Sequence, residues 1–238
     1  MRTFVIGDIH GAYQALVQCL GRCGFDYAQD RLIALGDVCD GYPQVNLCIE
    51  ELLKIKHCDY LIGNHDLWVL DWALKGEKKD IWLSQGGSAT ISSYSAGPMP
   101  QAHVDFLHNA HPWLEVDGKV FVHGGFDLHS PLQSQALQKL VWDRDLLYVA
   151  WKKFLENDGQ DASRDAAMLR LYQYEEIFIG HTPTQNFHST RPVHFCNVWD
   201  LDTGAGWSGC LTIMDVQSKQ YWQSDSTPSL YPGFHNRQ

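Results

Sequence analysis

Residues 3–11 read Thr-Phe-Val-Ile-Gly-Asp-Ile-His-Gly, and this stretch joins a short strand to two side chains that bind metals. The first four residues are apolar or β-favouring and predict a buried strand, which the glycine ends. Asp8 and His10 then lie two residues apart on the loop that follows. A carboxylate oxygen and an imidazole nitrogen at this spacing can bind one metal ion.

The same order of strand, glycine and ligand returns four more times along the chain. A lone histidine is more often a core or surface side chain, so one copy of the pattern would mean little. Five copies in one chain predict a metal centre. The four later copies are Leu35-Gly36-Asp37, Leu61-Ile62-Gly63-Asn64-His65-Asp66, Phe121-Val122-His123-Gly124-Gly125 and Phe178-Ile179-Gly180-His181.

Length and composition indicate a folded globular protein. The chain has 238 residues, 45% of them hydrophobic, with no low-complexity run, which suits one domain with a substantial core. The formal net charge of -10 argues against nucleic-acid binding. With no signal-like or membrane-spanning segment expected, we predict a cytoplasmic protein that binds no membrane. The seven cysteines form no CxxC pair, so we expect reduced thiols.

The order of elements predicts an α/β fold. Helical spacing covers 12–24 and 45–55, and buried strands are expected at 32–35 and 60–62, with functional loops at the carboxyl ends of the strands. A helix is predicted at 67–74. An Asp-Gly turn predicts a hairpin over 114–122.

The second half of the chain first turns helical and then returns to strands. Helices predicted at 137–154 and 162–174 form an insertion, about 137–175, that could roof the site and set substrate choice. Strands are expected at 193–199, 209–216 and 220–223. We expect one domain over 1–238, with a loosely held tail at about 224–238.

The candidate ligands are carboxylates, imidazoles and an amide oxygen. This set suits Mn²⁺, Fe or Zn²⁺ better than Cu(I), and it has too many imidazoles for Mg²⁺ or Ca²⁺ alone. Six ligands are too many for one catalytic metal, but they fit two divalent ions that share a carboxylate. The six are Asp8, His10, Asp37, Asn64, His123 and His181.

Together these motifs resemble the PPP-type metallophosphatases, and most of all the bacterial and phage (lambda-phosphatase-like) serine/threonine protein phosphatases. The resemblance extends to about residue 216 and implies a metallophosphatase (calcineurin-like) fold, a central β-sandwich flanked by helices. The motifs that carry it are GDIHG (7–11), GDVCDG (36–41), GNHD (63–66), HGG (123–125) and GHTP (180–183).

The resemblance also implies roles for individual residues. Asp37 would bridge two metal ions, which we expect from the ligand set to be Mn²⁺, with Fe or Zn²⁺ as the alternatives. His65 would be the general acid, with Asp40 as its carboxylate partner, and metal-bound hydroxide would attack phosphorus without a phosphoenzyme. Asn64 and Arg144 would bind the substrate phosphate. Asp8 and His10 would hold the first metal, and Asn64, His123 and His181 the second.

The sequence departs from the family pattern at several positions. The family's Val-Asp-Arg-Gly motif has its arginine where this chain has Gly41, and a guanidinium fork is hard to replace. Arg144 would then be the one arginine that binds the substrate phosphate. The alternative for Arg144 is a surface ion pair with Asp143 or Asp145. Asp66 stands where glutamate is more common, as it also does in diadenosine tetraphosphate hydrolases. Cys39 is expected to be a packed loop thiol.

Three functions remain open at this point. The first is a metal-dependent serine/threonine protein phosphatase that also acts on phosphotyrosine and small aryl phosphates. The second is a hydrolase of dinucleoside polyphosphates such as diadenosine tetraphosphate, or another nucleotide phosphatase. The third is a phosphate-binding module without turnover. The presence of Asp40 favours phosphomonoester chemistry, because the dinucleotide hydrolases usually lack that carboxylate.

Overall fold

The computed structural model describes residues 1–156 and 171–234. Its strands are β1 (Thr3–Ile6), β2 (Arg31–Ala34), β3 (His57–Tyr60), β4 (Trp113–Val116), β5 (Lys119–Val122), β6 (Glu176–Ile179), β7 (Val193–Phe195), β8 (Val198–Asp200), β9 (Thr212–Asp215) and β10 (Tyr221–Gln223). Its α-helices are α1 (Tyr13–Arg22), α2 (Val45–Leu53), α3 (Asn64–Lys75), α4 (Asp80–Trp82), α5 (Ser88–Ser93), α6 (Gln101–His108), α7 (Leu137–Trp142), α8 (Asp145–Glu156) and α9 (Thr227–Leu230).

The strands form two five-stranded sheets, ordered β10-β9-β1-β2-β3 and β4-β5-β6-β8-β7. Strands β1, β2 and β3 are parallel in the first sheet, and β5, β6 and β8 are parallel in the second. Parallel strands end at the same edge of a sheet. The loops after β1, β2, β3, β5 and β6, which carry the predicted ligands, therefore start from neighbouring strand ends.

Strand β1 shows why its sequence is apolar throughout. Phe4 and Ile6 point to a core shared with helices, whereas Val5 points to a core between the two sheets. Side chains alternate across a strand, so a strand covered on both faces needs a continuous apolar run. Phe121 and Phe178 are paired on neighbouring strands of the second sheet, and their stacked rings, with centroids 4.9 Å apart, lie in the same core as Val5.

Helices cover the outer face of each sheet. Helix α1 packs against β9 and β10, and α8 packs against β7 and β8. Burying a large apolar side chain contributes about 1.5–3 kcal/mol, so these outer cores stabilise the sandwich on both sides. The predicted α/β fold, a central β-sandwich flanked by helices, is confirmed.

Four predicted elements differ from the structure. The strand predicted at 193–199 is a pair of antiparallel strands, β7 and β8. Strand β3 lies earlier, at His57–Tyr60, where polar side chains weaken the apolar signal. Helix α3 begins earlier, at Asn64, because the Asp66 carboxylate accepts the backbone N–H of Gly63 at 2.9 Å. The helix predicted at 137–154 is two helices, and the Asp143 carboxylate accepts the N–H of Leu146 in the second. Most of the helix predicted at 162–174 lies outside the described residues.

The segment after residue 224 is packed, contrary to the expectation of a loose tail. Thr227 and Tyr231 are buried, and the Tyr231 ring lies against Tyr42 with centroids 4.7 Å apart. The Tyr231 hydroxyl also donates to Gln44 at 2.7 Å. An aromatic anchor of this kind holds the tail, and polar composition did not reveal it. Residues 235–238 lie outside the described range.

The structure also bears on the cysteines and on membrane insertion. All seven cysteines are free thiols, as predicted, and four of them are buried. Within 1–156 and 171–234, no helix has the length and apolar character needed to cross a bilayer.

Candidate metal centre and active site

A cavity of about 620 Å³ opens where the ligand loops converge. It is lined by predicted ligands, by the predicted acid His65 and by Arg144, so the structure brings these residues to one place. Several lining residues were not singled out from the sequence. The lining comprises Asp8, His10, Asp37, Asn64, His65, Trp68, Ile81, Gln85, Trp142, Arg144, His181, Pro183, Gln185, Asn186, Asp202, Trp207 and Ser208.

A first group of donors surrounds His10. Its Nε2 atom lies 4.0 Å from Asp8 Oδ2 and 3.8 Å from Asp37 Oδ2. The other ring nitrogen, Nδ1, lies 2.9 Å from the carbonyl oxygen of Cys39 and donates to it. That bond fixes the tautomer, so Nε2 carries the lone pair that a metal needs.

A second group surrounds His123. Its Nε2 atom lies 3.4 Å from Asp37 Oδ2 and 3.1 Å from Asn64 Oδ1, while Nδ1 donates to the Leu35 carbonyl at 2.8 Å. Donor atoms of His181 lie with those of Asp37 and His123 within 4.8 Å of one another. Asp37 thus belongs to both groups, which suits a bridging carboxylate.

The buried carboxylates of the site would be stabilised by bound cations. Burial, and then the neighbouring Asp202 carboxylate, raises the pKa of Asp8 well above its usual value. Burial disfavours the charged form of Asp37 and the charged form of His123. The electrostatic attraction between the two groups outweighs this effect. The pKa of Asp37 is held well below its usual range, and that of His123 is raised to about 10.

His181 gives the most direct test of whether a metal fits. Burial lowers the pKa of its imidazole to about 2, so the ring is the neutral form that a metal binds. Its Nε2 atom is buried and has no hydrogen-bond partner among the described residues. A buried polar atom without a partner is costly unless a ligand satisfies it. The oxygen and nitrogen donors of the site therefore fit divalent cations.

His65 is tied to a buried carboxylate. Its Nδ1 atom lies 2.7 Å from Asp40 Oδ2, and Asp40 is fully buried. Two donors hold that carboxylate: Trp82 Nε1 lies 2.9 Å from both oxygens, and Thr90 Oγ1 lies 2.6 Å from Oδ1. By distance alone, His65 also groups with His10 and Asp37 as a possible metal ligand. The contact of Nδ1 with Asp40 fixes the orientation of the ring.

Four of these side chains stand on strained backbone. The residues have φ values of 49° at His10, 51° at Asp37, 68° at Asp40 and 65° at His181. Left-handed backbone is uncommon outside glycine and costs about 1–3 kcal/mol at each residue. Such strain clusters at functional sites, because surrounding contacts hold the residues where chemistry needs them.

The glycines of the repeated motif make room for ligands of neighbouring loops. A Cβ atom at Gly63 would lie 2.0 Å from Asp37 Oδ1, and one at Gly180 would lie 2.1 Å from Asp8 Oδ1. A Cβ atom at Gly206 would lie 2.2 Å from the His10 ring. These contacts explain why a glycine accompanies each ligand, and Gly206 is a residue that the sequence analysis missed.

Asp66 and Cys39 have structural surroundings. The Asp66 carboxylate accepts the backbone N–H of Asp37 at 2.9 Å and the hydroxyl of Tyr60 at 2.7 Å. It therefore holds the Asp37 loop against the start of α3. Cys39 is fully buried, as expected of a packed loop thiol, and burial raises its pKa well above the usual value.

Arg144 lies at the cavity, and Gly41 lies under another loop. The Arg144 guanidinium approaches the carbonyl oxygen of His181 at 3.4 Å. The ion pairs found for Asp143 and Asp145 are with Lys139, at 2.9 and 3.4 Å. Gly86 packs directly on the backbone of Gly41, and the adjacent Gln85 lines the cavity where the family's arginine is missing.

Known proteins resemble this chain in sequence and in fold. It is 31% identical to serine/threonine-protein phosphatase 1 of Salmonella typhimurium, covering 90% of this chain and 92% of that protein. It is 34% identical to a symmetrical bis(5'-nucleosyl)-tetraphosphatase of Dechloromonas aromatica, covering 96% and 98%. A crystal structure assigned to a diadenosine tetraphosphatase shares the fold, with a TM-score of 0.68, 17% identity and coverage of 93% and 92%.

A family model agrees with these likenesses. The model for calcineurin-like phosphoesterases matches residues 1–185, which include every candidate metal ligand. The predicted resemblance to metallophosphatases is thereby confirmed. The chain belongs to the calcineurin-like phosphoesterase family.

Proposed function

We propose that this phosphoesterase is a dinuclear metal-dependent phosphomonoesterase whose substrates are proteins phosphorylated on serine or threonine. The observation that carries the proposal is the buried pair of His65 and Asp40 beside two donor groups that share Asp37. The likeness to serine/threonine-protein phosphatase 1 of Salmonella typhimurium supports the same substrate class.

The donor groups define how two cations would be held. Bound divalent ions offset the charge of a phosphate and lower the pKa of a coordinated water. Mn²⁺ is our assignment, because the mixed oxygen and imidazole donors suit it. One ion would take Asp8, His10 and Asp37, and the other Asp37, Asn64, His123 and His181.

The chain's own groups bind the phosphate and move a proton. Arg144 and Asn64 line the cavity, where a guanidinium and an amide can donate to phosphate oxygens. His65 delivers a proton to the leaving oxygen, while Asp40 fixes the orientation of the ring. Cys39 cannot act as a nucleophile, since its thiol is buried and neutral. Water is therefore the attacking group, and no phosphoenzyme forms.

A second candidate is hydrolysis of dinucleoside polyphosphates. The likeness to the tetraphosphatase of Dechloromonas aromatica favours it, as does Gly41 in place of the family's arginine. The buried Asp40 beside His65 speaks for monoester chemistry, because an alkoxide leaving group needs a proton more than a phosphate leaving group does.

A side-by-side assay separates the candidates. The Mn²⁺-loaded protein is given p-nitrophenyl phosphate, a phosphoserine peptide and diadenosine tetraphosphate, and kcat/KM is measured for each. We expect the two monoesters to be hydrolysed faster than the dinucleotide. Dominant cleavage of the dinucleotide would establish the second candidate instead. No turnover of any substrate would leave a phosphate-binding module.

A further inference from the structure

Two tryptophan side chains, Trp68 and Trp142, form one wall of the cavity and are called here the tryptophan wall. Their ring centroids lie 5.4 Å apart. Trp68 also meets the His65 ring edge-on at 5.0 Å, and Trp142 meets the His181 ring edge-on at 5.7 Å. The wall therefore runs without a break from the proposed proton donor to a proposed metal ligand.

The tryptophan wall presents apolar surface to the cavity. Trp142 is 41% exposed, which is unusual for so large an apolar ring. Trp68 is half-buried and packs on the helix-side core, so its ring is held in place. Exposed apolar surface beside a polar cavity marks a site for an apolar part of a ligand.

The position of the wall identifies which part of the ligand it meets. His65 delivers its proton to the leaving oxygen, so the group bonded to that oxygen lies next to His65. Trp68 touches His65, and Arg144, the proposed phosphate-binding residue, follows Trp142 by two residues and lines the same cavity. The wall thus lies where the group bonded to the leaving oxygen would extend.

The other lining residues favour an uncharged leaving group. Beyond the proposed ligands and His65, the lining holds two charged side chains, Asp202 and Arg144. The rest consists of amides, a hydroxyl and apolar groups, such as Gln85, Asn186 and Ser208. Arg144 is the one lysine or arginine among the described residues that line the cavity. Beyond the two proposed metal ions, a polyphosphate chain would carry further negative charges into a space where the described lining offers Arg144 alone as a cationic side chain, on a protein of net charge -10.

We propose that Trp68 and Trp142 form a subsite for an aromatic leaving group whose ring is bonded to the ester oxygen. The subsite gives aryl phosphomonoesters, including phosphotyrosyl side chains, tighter binding than alkyl phosphomonoesters. Stacked or edge-on aromatic pairs favour binding, and with two indole rings in the subsite we expect a gain in affinity of about tenfold or more. This inference rests on the phosphomonoesterase function proposed above.

Calorimetric titration of the Mn²⁺-loaded protein tests the subsite without any need for turnover. Benzylphosphonate and methylphosphonate share a phosphonate head and differ only in the phenyl ring, and the methylene of the benzyl compound takes the place of the ester oxygen. We expect the wild type to bind the benzyl compound about tenfold more tightly. Trp68→Leu and Trp142→Leu should each lower that ratio towards one, with less than a twofold change for methylphosphonate.

A matched control and a third ligand complete the test. Tyr148→Leu removes an aromatic ring that is 39% exposed on α8 and outside the cavity lining, and it should keep the wild-type ratio. A ratio of one in the wild type, or a ratio that both tryptophan variants keep, overturns the subsite. So does a tryptophan-dependent gain seen with adenosine 5'-monophosphate alone, which would assign the wall to a nucleobase.

Two further measurements distinguish a failure of the subsite from a failure of the function on which it rests. Failure of p-nitrophenyl phosphate hydrolysis contradicts the proposed function, whereas an aryl preference lost in binding contradicts only the subsite. Thermal melts of both variants check folding, and the exposed position of Trp142 makes Trp142→Leu the safer of the two.

Discussion

His65 Nδ1 lies 2.7 Å from Asp40 Oδ2, and Trp82 and Thr90 donate to the same carboxylate. All four side chains are buried. Inside a protein such hydrogen bonds are stronger than in water, and they fix the imidazole in one orientation. The pair is therefore built to hold a proton donor in place, and its removal should affect chemistry more than metal binding.

The first prediction concerns that proton donor. His65→Ala should lower kcat for a phosphoserine peptide, whose leaving group is an alkoxide, by about 10²–10⁴-fold, the usual worth of general acid catalysis. Elemental analysis should still find two metal ions per chain. His108→Ala, a change at an exposed histidine outside the cavity, is the control and should keep wild-type activity. Loss of metal from His65→Ala would make His65 a ligand.

The second prediction concerns the shared carboxylate. Asp37 lies in both donor groups, so Asp37→Asn should weaken the binding of both ions rather than one. The metal content after dialysis and the activity should both fall towards zero. Asp117→Asn removes a charge in the β4–β5 turn and should keep both ions. A variant of Asp37 that retained two ions would rule out the bridge.

The third prediction concerns the space beside Asp8. In Gly180→Ala, the new Cβ atom would lie 2.1 Å from Asp8 Oδ1 and push the carboxylate aside. We expect the first ion to bind at least tenfold more weakly, measured by metal titration. Gly21→Ala in α1 meets nothing within 4 Å and should stabilise the fold by about 1 kcal/mol. Unchanged metal affinity in Gly180→Ala would contradict the packing argument.

The fourth prediction concerns stability at alkaline pH. Burial raises the pKa of Cys58 to about 12 and that of Cys23 to about 11, from an ordinary value of 9.0. A raised pKa in the folded state means that the stabilisation is complete below the unfolded-state pKa and is lost as pH rises through the folded-state pKa. Tm should therefore fall from about pH 9 upwards.

Thermal melts at pH 7 to 10.5 check this expectation. Cys58→Ala should reduce the slope of Tm against pH above pH 9, whatever its effect on Tm at neutral pH. Equal slopes in the variant and the wild type would show that the Cys58 thiol does not contribute.

The ligands could be predicted from sequence because their chemistry lies in residue type and in position after a strand. Asp8 and His10 after β1, and His181 after β6, needed no knowledge of distant contacts. Their strained backbone could not be predicted, because it depends on contacts between loops, such as the Asp66 carboxylate that holds the Asp37 loop. Gly206 was missed because it lies outside any repeated motif.

The break between α7 and α8 shows a second limit of sequence reasoning. Residues 137–154 have the spacing of one helix, yet Asp143 is extended and caps the second helix. Gly124 packs against the Asp143 backbone, at distances that leave no room for a Cβ atom. That tertiary contact places Trp142 and Arg144 at the cavity. The packed tail was missed for a similar reason, since Tyr42 and Tyr231 are far apart in sequence.

Strand β1 lies between β2 and β9, and Phe4 pairs with Asp215. The ribosome makes β9 about two hundred residues after β1, so the first sheet is incomplete for most of translation. The loop that carries Asp8 and His10 follows directly from β1, so the folding of this loop is delayed as well. A nascent chain should therefore complete the sheet that supports Asp8 and His10 only after β9 has been made.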